Sequence, residues 1–122
     1  MRWAPIRTPG RNTWAPDRQE GNVIMITFVR RVRMRNGHFD EAMRLLRQRV
    51  DYLWGQHGLK LELKVRFGGP VGEVALVSHH RDAAELEHLR QKLTFDAGSN
   101  QLLRALSEVT LPGETHDEIW MD

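Results

Sequence analysis

The chain has 122 residues, of which 40% are hydrophobic and 28% charged, and its formal net charge is +2. This length suits a single globular domain, and the lack of cysteine excludes disulfides, thiol catalysis and thiolate metal sites. No apolar run approaches the roughly 18 residues of a membrane span and no signal peptide is evident, so we expect a cytoplasmic protein that does not bind a membrane.

Residues 1–21 are predicted to form an irregular N-terminal arm outside the folded domain, which spans residues 22–122. The arm contains three prolines and two glycines and shows no hydrophobic period. Its four arginines and two acidic residues account for the whole net charge of +2, so the domain itself is neutral. A neutral domain attracts nucleic acid only weakly. Trp3 and Trp14 could anchor the arm on a partner subunit, and a floppy terminus is the alternative interpretation.

Residues 22–34 are predicted to form a first strand that is apolar on both faces. Because side chains alternate along a strand, Ile26 and Phe28 face one way, whereas Met25 and Val29 face the other. A strand with two apolar faces is normally covered on both. The pattern therefore predicts a helix layer on one side of the sheet and a second cover on the other.

Hydrophobic periodicity predicts the remaining elements. In chain order they are a helix at about 39–54, strands at 59–67 and 73–80, a helix opening at Asp82 with Glu85 in its first turn, a short helix at about 99–108 and a brief strand at the end of the chain. The order β-α-β-β-α-(α)-β is that of a ferredoxin-like α+β fold. We expect a four-stranded antiparallel sheet with helices on one face and the other face bare.

The stretch GGPVG, residues 68–72, joins the second and third predicted strands. Phosphate-binding glycine loops lead from a strand into the N-terminus of a helix, where free backbone N–H groups attract the anion. No helix follows this stretch directly. We therefore interpret it as a hairpin turn, in which the glycines supply positive φ and Pro70 stiffens the tip.

His79 and His80 close the third predicted strand, and adjacent strand residues point to opposite faces of a sheet. One of them is therefore predicted to point toward the helices and the other toward the bare face. Both could simply be solvated at a strand end. Alternatively, one is a general base or hydrogen-bond donor in a cavity, since the pKa of histidine lies near neutrality.

The second strand is predicted to place a row of charged residues on the bare face: Lys60, Glu62, Lys64 and Arg66. Such a row can be an ordinary solvated surface. However, Met25 and Val29 of the first strand lie on that same face and need a cover. A second copy of the protein could supply it, and two stacked sheets would then enclose a cavity rimmed by the charged row and a histidine.

In order and spacing, these segments resemble the dimeric α+β barrel proteins, a group that includes the antibiotic biosynthesis monooxygenase-like and NIPSNAP-like families. The resemblance covers residues 22–122 and is carried by the segments NGHFDEAMRLL, QHGLKLELKVRF and GEVALVSHHRDAAELEHLRQKLTFDAGSNQLL. It implies a homodimer with a ligand cavity beside or within each sheet. Members of the group include cofactor-free oxygenases of aromatic polyketides, haem-degrading enzymes, lyases and cyclases.

We therefore expect a small-molecule enzyme, such as a cofactor-independent monooxygenase acting on an aromatic or polyketide-like substrate. In this hypothesis His79 or His80 is the acid or base, and Arg66 or Lys64 stabilises a developing enolate or phenolate. The remaining candidates for substrate contact are Glu62, Trp54, Trp120 and Met25, with no metal and no cofactor. The alternative is a non-catalytic dimeric ligand-binding or accessory protein with the same cavity.

Two weaker hypotheses follow from single features. RNA-binding domains share the βαββαβ order, but they need aromatic residues on the sheet surface that the third strand lacks. His116 and Glu118 lie two residues apart on the last strand and, with His79 or His80, would make a two-histidine, one-carboxylate metal set.

Overall fold

The computed structural model describes residues 25–69 and 71–122. The predicted arm at residues 1–21 lies outside the described residues, as do the first residues of the predicted first strand and Pro70. The described elements, in chain order, are β1 (Ile26–Arg33), α1 (Phe39–His57), β2 (Glu62–Val65), β3 (Glu73–His80), α2 (Ala83–Thr94), α3 (Ala97–Ser107) and β4 (His116–Met121).

The four strands form one sheet in the order β2-β3-β1-β4, and every neighbouring pair is antiparallel. This confirms the predicted ferredoxin-like α+β fold. β2 is shorter than predicted, because only Glu62–Val65 pair with β3 although the alternation of side chains continues on both sides. In the register, Phe28 lies opposite Ser78 on β3 and opposite Ile119 on β4.

The helices cover one face of the sheet and bury a core against it. β1 contributes Val32 to this core, Met34 just after the strand adds to it, and the inner face of α1 contributes Ala42 and Leu46. The other buried members are Met43, Leu45, Val74, Leu76, Leu106 and Val109. Because these side chains recur at helical or alternating spacing, sequence periodicity is enough to place them.

The glycine stretch is a hairpin turn, as predicted. Gly68, Gly69 and Gly72 have φ angles of 90°, 73° and 82°, a region that residues with a Cβ rarely adopt. Beyond the turn, Arg66 N–H donates to the Glu73 carbonyl at 3.0 Å, which continues the β2–β3 pairing. The stretch therefore reverses the chain and leads into no helix.

Two aspartates begin the last two helices. Asp82 accepts a 2.9 Å hydrogen bond from the Glu85 N–H at the start of α2, as its position predicted. Asp96 accepts a 3.0 Å hydrogen bond from the Ser99 N–H, so α3 begins two residues earlier than predicted. The Asp96 carboxylate also accepts from the Tyr52 hydroxyl at 2.7 Å and lies 2.6 Å from His57 Nε2, which ties α3 to α1.

Helix α2 packs loosely. None of its residues is buried, although Leu86, Leu89 and Leu93 recur at helical spacing along its inner face. Since an amphipathic helix of a compact domain normally buries its apolar stripe, α2 must leave space between itself and the sheet. Within the described chain, no helix is both long and apolar enough to cross a membrane.

Candidate functional site

The register of β3 settles which histidine faces the helices. His80 lies opposite Ile26 on the helix-covered face and is only 4% exposed. His79 lies opposite Thr27 on the bare face, where its Nδ1 is 3.2 Å from the Thr27 hydroxyl. The prediction that the two histidines serve opposite faces is therefore confirmed, and His80 is the one beneath α2.

His80 contacts two polar side chains. Its Nε2 lies 2.8 Å from the hydroxyl of Ser78, which is two residues earlier on β3 and therefore on the same face. Its Nδ1 lies 4.0 Å from a carboxylate oxygen of Glu85 in the first turn of α2. The charge of Glu85 favours the tautomer that carries its proton on Nδ1, and in that tautomer Nε2 accepts a hydrogen bond from the Ser78 hydroxyl.

Burial lowers the pKa of His80 below its ordinary value of 6.5. The nearby Glu85 carboxylate opposes this shift, whereas the adjacent His79 adds to it. Desolvation disfavours the charged imidazolium more than one carboxylate at 4.0 Å stabilises it. At neutral pH, His80 is therefore a neutral imidazole that can accept a proton.

A cavity of about 500 Å³ lies between α2 and the sheet, with Ser78 and His80 in its wall. This volume is within the range of small-molecule sites. Most of its lining is apolar: Phe28, Leu53, Leu59, Leu61, Leu76, Ala83, Leu86, Leu89, Leu93 and Ile119. The loose packing of α2 thus creates an apolar cavity with a few polar groups rather than a filled core.

Three arginines line the same cavity, and one of them, Arg90, is held by Glu87 on α2 through hydrogen bonds of 2.9 and 2.6 Å. Arg30 on β1 is held by Asp117 on β4 through two hydrogen bonds of 2.8 and 3.0 Å, and this pairing raises the pKa of Arg30. Arg49 on α1 is only 7% exposed and donates one long hydrogen bond, 3.4 Å, to the hydroxyl of Ser99. Burial, reinforced by the positive charge of Arg30, lowers the pKa of Arg49 to about 10.

A second, shallower cavity of about 420 Å³ opens beside the first. It brings together three residues predicted for the site, Glu62, His79 and His80, with Lys60 from the predicted charged row. His80 lines both cavities and therefore connects them. His80 thus lies where the polar second cavity meets the apolar first one, and His79 lies beside it in the second cavity.

The other predicted site residues do not lie together in the structure. Lys64 and Arg66 lie outside both cavities, Lys64 within 3.8 Å of Glu62 and Arg66 in an ion pair with Glu73. Trp54 is 60% exposed and lines a small groove with Lys60 and Leu61 on the outside of α1.

Trp120 and Met25 lie near the ends of the paired strands β4 and β1. Trp120 pairs with Thr27, which places it on the bare face, and its side chain is 62% exposed. Met25 precedes β1, and its carbonyl accepts from the Asp122 N–H at 3.2 Å. Neither residue lines the cavity beneath α2.

The metal hypothesis gains no geometric support. In residues 25–69 and 71–122, no three histidine or acidic side chains lie close enough together to hold a metal ion. Glu118 is instead engaged by Arg31 at 3.0 Å, and His116 pairs with Arg31 at the far end of β4 from the histidine pair.

Six polar residues of the cavity were not predicted from the sequence: Ser78, Arg30, Arg49, Glu87, Arg90 and Asp117. A signal was present for Arg49, because it lies three residues after Leu46 and four before Leu53, both on the buried face of α1. Ser78 shares a strand face with His80 by simple alternation. Arg30 gave no signal, since its partner Asp117 is remote in sequence.

The four-stranded antiparallel sheet and the order of its helices define a protein of the ferredoxin-like α+β fold. No protein-family profile matches the sequence, and no curated protein matches it. A search of solved structures, in contrast, finds many similar chains.

Three of these structures illustrate the likeness. A NIPSNAP family protein from Agrobacterium tumefaciens is 22% identical with a TM-score of 0.65, and the match covers 80% of this chain and 85% of that one. A dimeric protein of unknown function and ferredoxin-like fold from Bacteroides fragilis is 11% identical with a TM-score of 0.62, covering 80% and 96%. SnoaB, a cofactor-independent oxygenase from Streptomyces nogalater, is 14% identical with a TM-score of 0.59, covering 79% and 90%. At these identities the likeness is one of fold, and it confirms the predicted resemblance to the α+β barrel, NIPSNAP-like group.

Proposed function

We propose that this protein is a small-molecule enzyme that binds an apolar, aromatic substrate in the cavity beneath α2 and uses His80 as its base. The observation that carries the proposal is the position of His80, buried in the wall of an apolar cavity and hydrogen-bonded to Ser78 at 2.8 Å. A neutral, desolvated imidazole is well suited to remove a proton from a weakly acidic substrate.

The Ser78–His80 pair would act as a proton-accepting unit. Glu85 keeps the Nδ1 proton in place, and Nε2 takes a proton either directly or through the Ser78 hydroxyl. Arg49, farther along the same wall, would hold the substrate through its positive charge so that the acidic group lies beside His80. Lys64 and Arg66, which were expected to stabilise the anion, do not line the cavity.

The reaction class we favour is cofactor-independent oxygenation. Removal of a proton from an activated CH₂ group gives a carbanion, which reacts with O₂ to form a hydroperoxide. Loss of water from the hydroperoxide leaves a carbonyl, so one oxygen atom enters the product and the other leaves as water. The support is the proton-accepting geometry of this chain, together with its likeness in fold to SnoaB.

Oxygen consumption with anthrones and quinols tests the enzymatic proposal. We expect turnover by the wild type, a loss of about 10²–10⁴-fold in His80→Ala, and near wild-type rates in His79→Ala, whose side chain faces the bare side. Equal inactivity of the wild type and both variants would rule out the oxygenase. Equal activity of all three would rule out His80 as the base.

A non-catalytic ligand-binding protein is the second candidate. It is favoured by α2, whose inner leucines are exposed to the cavity and would be covered by any apolar ligand of suitable size. Native mass spectrometry that detects a retained ligand, combined with no turnover of that ligand, would favour this candidate over the enzyme.

We also propose a homodimer formed through the bare face of the sheet. On that face Val29 and Ala75 are half-buried and Val77 is buried, and the exposed Trp120 flanks them. An exposed tryptophan beside apolar strand residues favours burial against a partner. The similar ferredoxin-like protein from Bacteroides fragilis is dimeric, which supports a dimer of this chain.

A further inference from the structure

We infer that Arg49 is an anion receptor inside the cavity beneath α2, and that the ligand is therefore an aromatic carboxylate rather than a neutral aromatic molecule. This inference rests on the proposed function, which assigns the same cavity to an aromatic ligand. It adds the chemical group that the ligand carries and the direction in which the ligand lies.

The first observation is that Arg49 is buried and forms no ion pair with any acidic side chain of the described residues. Its side chain is 7% exposed, and its Nε is buried with no hydrogen-bond partner among the described residues. Its sole described side-chain hydrogen bond is the long one to Ser99, a neutral hydroxyl. Burying a cation without a partner is costly, so a bound anion at this point would be strongly favoured.

The nearby carboxylates are already engaged elsewhere. Both carboxylate oxygens of Asp117 accept hydrogen bonds from Arg30. Asp96 attracts Arg49 from a distance, but its oxygens accept from Ser99 N–H and the Tyr52 hydroxyl and contact His57. The cavity lining thus holds three guanidinium groups and two carboxylates. Arg30 pairs with Asp117 and Arg90 pairs with Glu87, so the positive charge of Arg49 is left unpaired among the described residues.

The geometry also sets the length of the ligand. Arg49 lines both the large cavity and a smaller one of about 180 Å³, and both include Arg30 and Leu76. Arg49 therefore lies above the row of the sheet in which Arg30 pairs with Leu76. His80 is four residues farther along β3, which corresponds to roughly 13 Å. A carboxylate bound at Arg49 would place the far end of a two- or three-ring molecule beside Ser78 and His80.

The test compares two probes that differ only in charge, 1-naphthaleneacetate and its neutral amide 1-naphthaleneacetamide. Isothermal titration calorimetry measures both dissociation constants on the full chain. We expect the wild type to bind the carboxylate about tenfold or more tightly than the amide, as charge-assisted hydrogen bonds allow. In Arg49→Met the ratio of the two constants should fall to about one, while the affinity for the amide stays unchanged.

Two further variants control for folding and for general charge. Arg49→Lys keeps the cation and should retain part of the preference, with circular dichroism confirming the fold. Arg47→Met removes an exposed arginine from the same helix and should leave the ratio at its wild-type value. In the absence of ligand, Arg49→Met should unfold at the same temperature as the wild type or higher, because it removes an uncompensated buried charge.

The outcomes separate this inference from the proposed function. Equal binding of the two probes by the wild type, or a preference that persists in Arg49→Met, would overturn the role of Arg49 and leave the cavity assignment standing. Failure of both probes to bind at millimolar concentration would overturn the cavity assignment and this inference together. Tight, Arg49-dependent binding without turnover would support this inference and count against the enzyme.

Discussion

The hydroxyl of Ser78 lies 2.8 Å from Nε2 of His80, and both side chains point from the same face of β3 into the space beneath α2. Two residues of separation on a strand is the spacing that allows this contact. The opposite nitrogen of His80 faces Glu85 at the start of α2. Ser78 therefore orients Nε2 of this buried imidazole, and the charge of Glu85 favours a proton on the opposite nitrogen.

The stability of the protein should depend on His80 between neutral and mildly acidic pH. Because the pKa of folded His80 lies below 6.5, the unfolded chain binds the proton more readily than the folded chain. The contribution of neutral His80 is therefore fully present above the ordinary pKa of 6.5 and is lost as the pH falls toward the lower, folded pKa. Urea denaturation at pH 7.5 and 5.5 should show a smaller loss of stability for His80→Gln than for the wild type.

The control for this prediction is His116→Gln, which removes an exposed histidine of β4. It should show the same difference between the two pH values as the wild type. A wild-type loss that is unchanged in His80→Gln would mean that another group is responsible for it.

Two glycines in helices should respond oppositely to alanine. A Cβ on Gly98 would collide with the ring and hydroxyl of Tyr52, which is fixed by its bond to Asp96. A Cβ on Gly55 would meet nothing within 4 Å. We expect Gly98→Ala to lower the free energy of unfolding by about 1–3 kcal/mol through overpacking, and Gly55→Ala to raise it by up to about 1 kcal/mol through helix propensity.

Chemical denaturation of the two glycine variants provides the measurement. Both substitutions place an alanine in a helix, so the gain in helix propensity is shared. The difference between the two variants therefore measures the steric clash with Tyr52. A stabilising Gly98→Ala would show that Tyr52 moves aside without losing its contact with Asp96.

The ionised carboxylate of Asp96 should stabilise the fold at pH values above its ordinary pKa of 3.8. The Ser99 N–H, the Tyr52 hydroxyl and His57 hold the pKa of its carboxyl well below the ordinary value of 3.8. Its contribution is therefore present above that ordinary value and is lost as the pH falls below it. Asp96→Asn should melt several degrees below the wild type at pH 7, and the gap should narrow toward pH 3.

Asp51→Asn is the matched control, since Asp51 is an exposed aspartate of α1. It should melt close to the wild type at both pH values. A gap for Asp96→Asn that stays constant with pH would indicate that shape, rather than charge, matters at this position.

The proposed dimer can be tested at the centre of the bare face. Val29 lies between Val77 on β3 and Glu118 on β4, so Val29→Glu would bury a second carboxylate at the interface. We expect light scattering to show a dimer for the wild type and a monomer for this variant. Gln48→Glu on the exposed face of α1 should remain dimeric. A wild-type monomer at high concentration would contradict the proposal.

Much of the fold could be predicted from the sequence because it depends on local patterns. The strict alternation after Leu59, the helical spacing from Phe39 and the Asp82 cap are each visible within about twenty residues. The opposed directions of His79 and His80 follow from strand geometry alone, and the structure confirms them. The early start of α3 escaped prediction because Asp96 owes its position partly to Tyr52 on another helix.

The candidate site could be predicted only in part. His80 was among the expected residues, but the charged row on β2 suggested a cavity on the bare face, whereas the largest described apolar cavity lies beneath α2. What the pattern could not show is how closely α2 packs, since apolar spacing is the same for a filled and an unfilled interface. The pairing of Arg30 with Asp117, 87 residues away, likewise has no local signal.

The most direct test of a ligand site beneath α2 is a nuclear magnetic resonance titration of the labelled full chain with 1-naphthaleneacetate. The titration follows the imidazole signals of all six histidines. If the ligand binds in the cavity beneath α2, the His80 imidazole and the Ser78 amide signals should shift saturably, whereas the signals of His38 and His116 should stay unchanged. Shifts concentrated at His79 and the Trp120 indole would instead place the ligand on the bare face, and the absence of any saturable shift would contradict a ligand site in the cavity beneath α2.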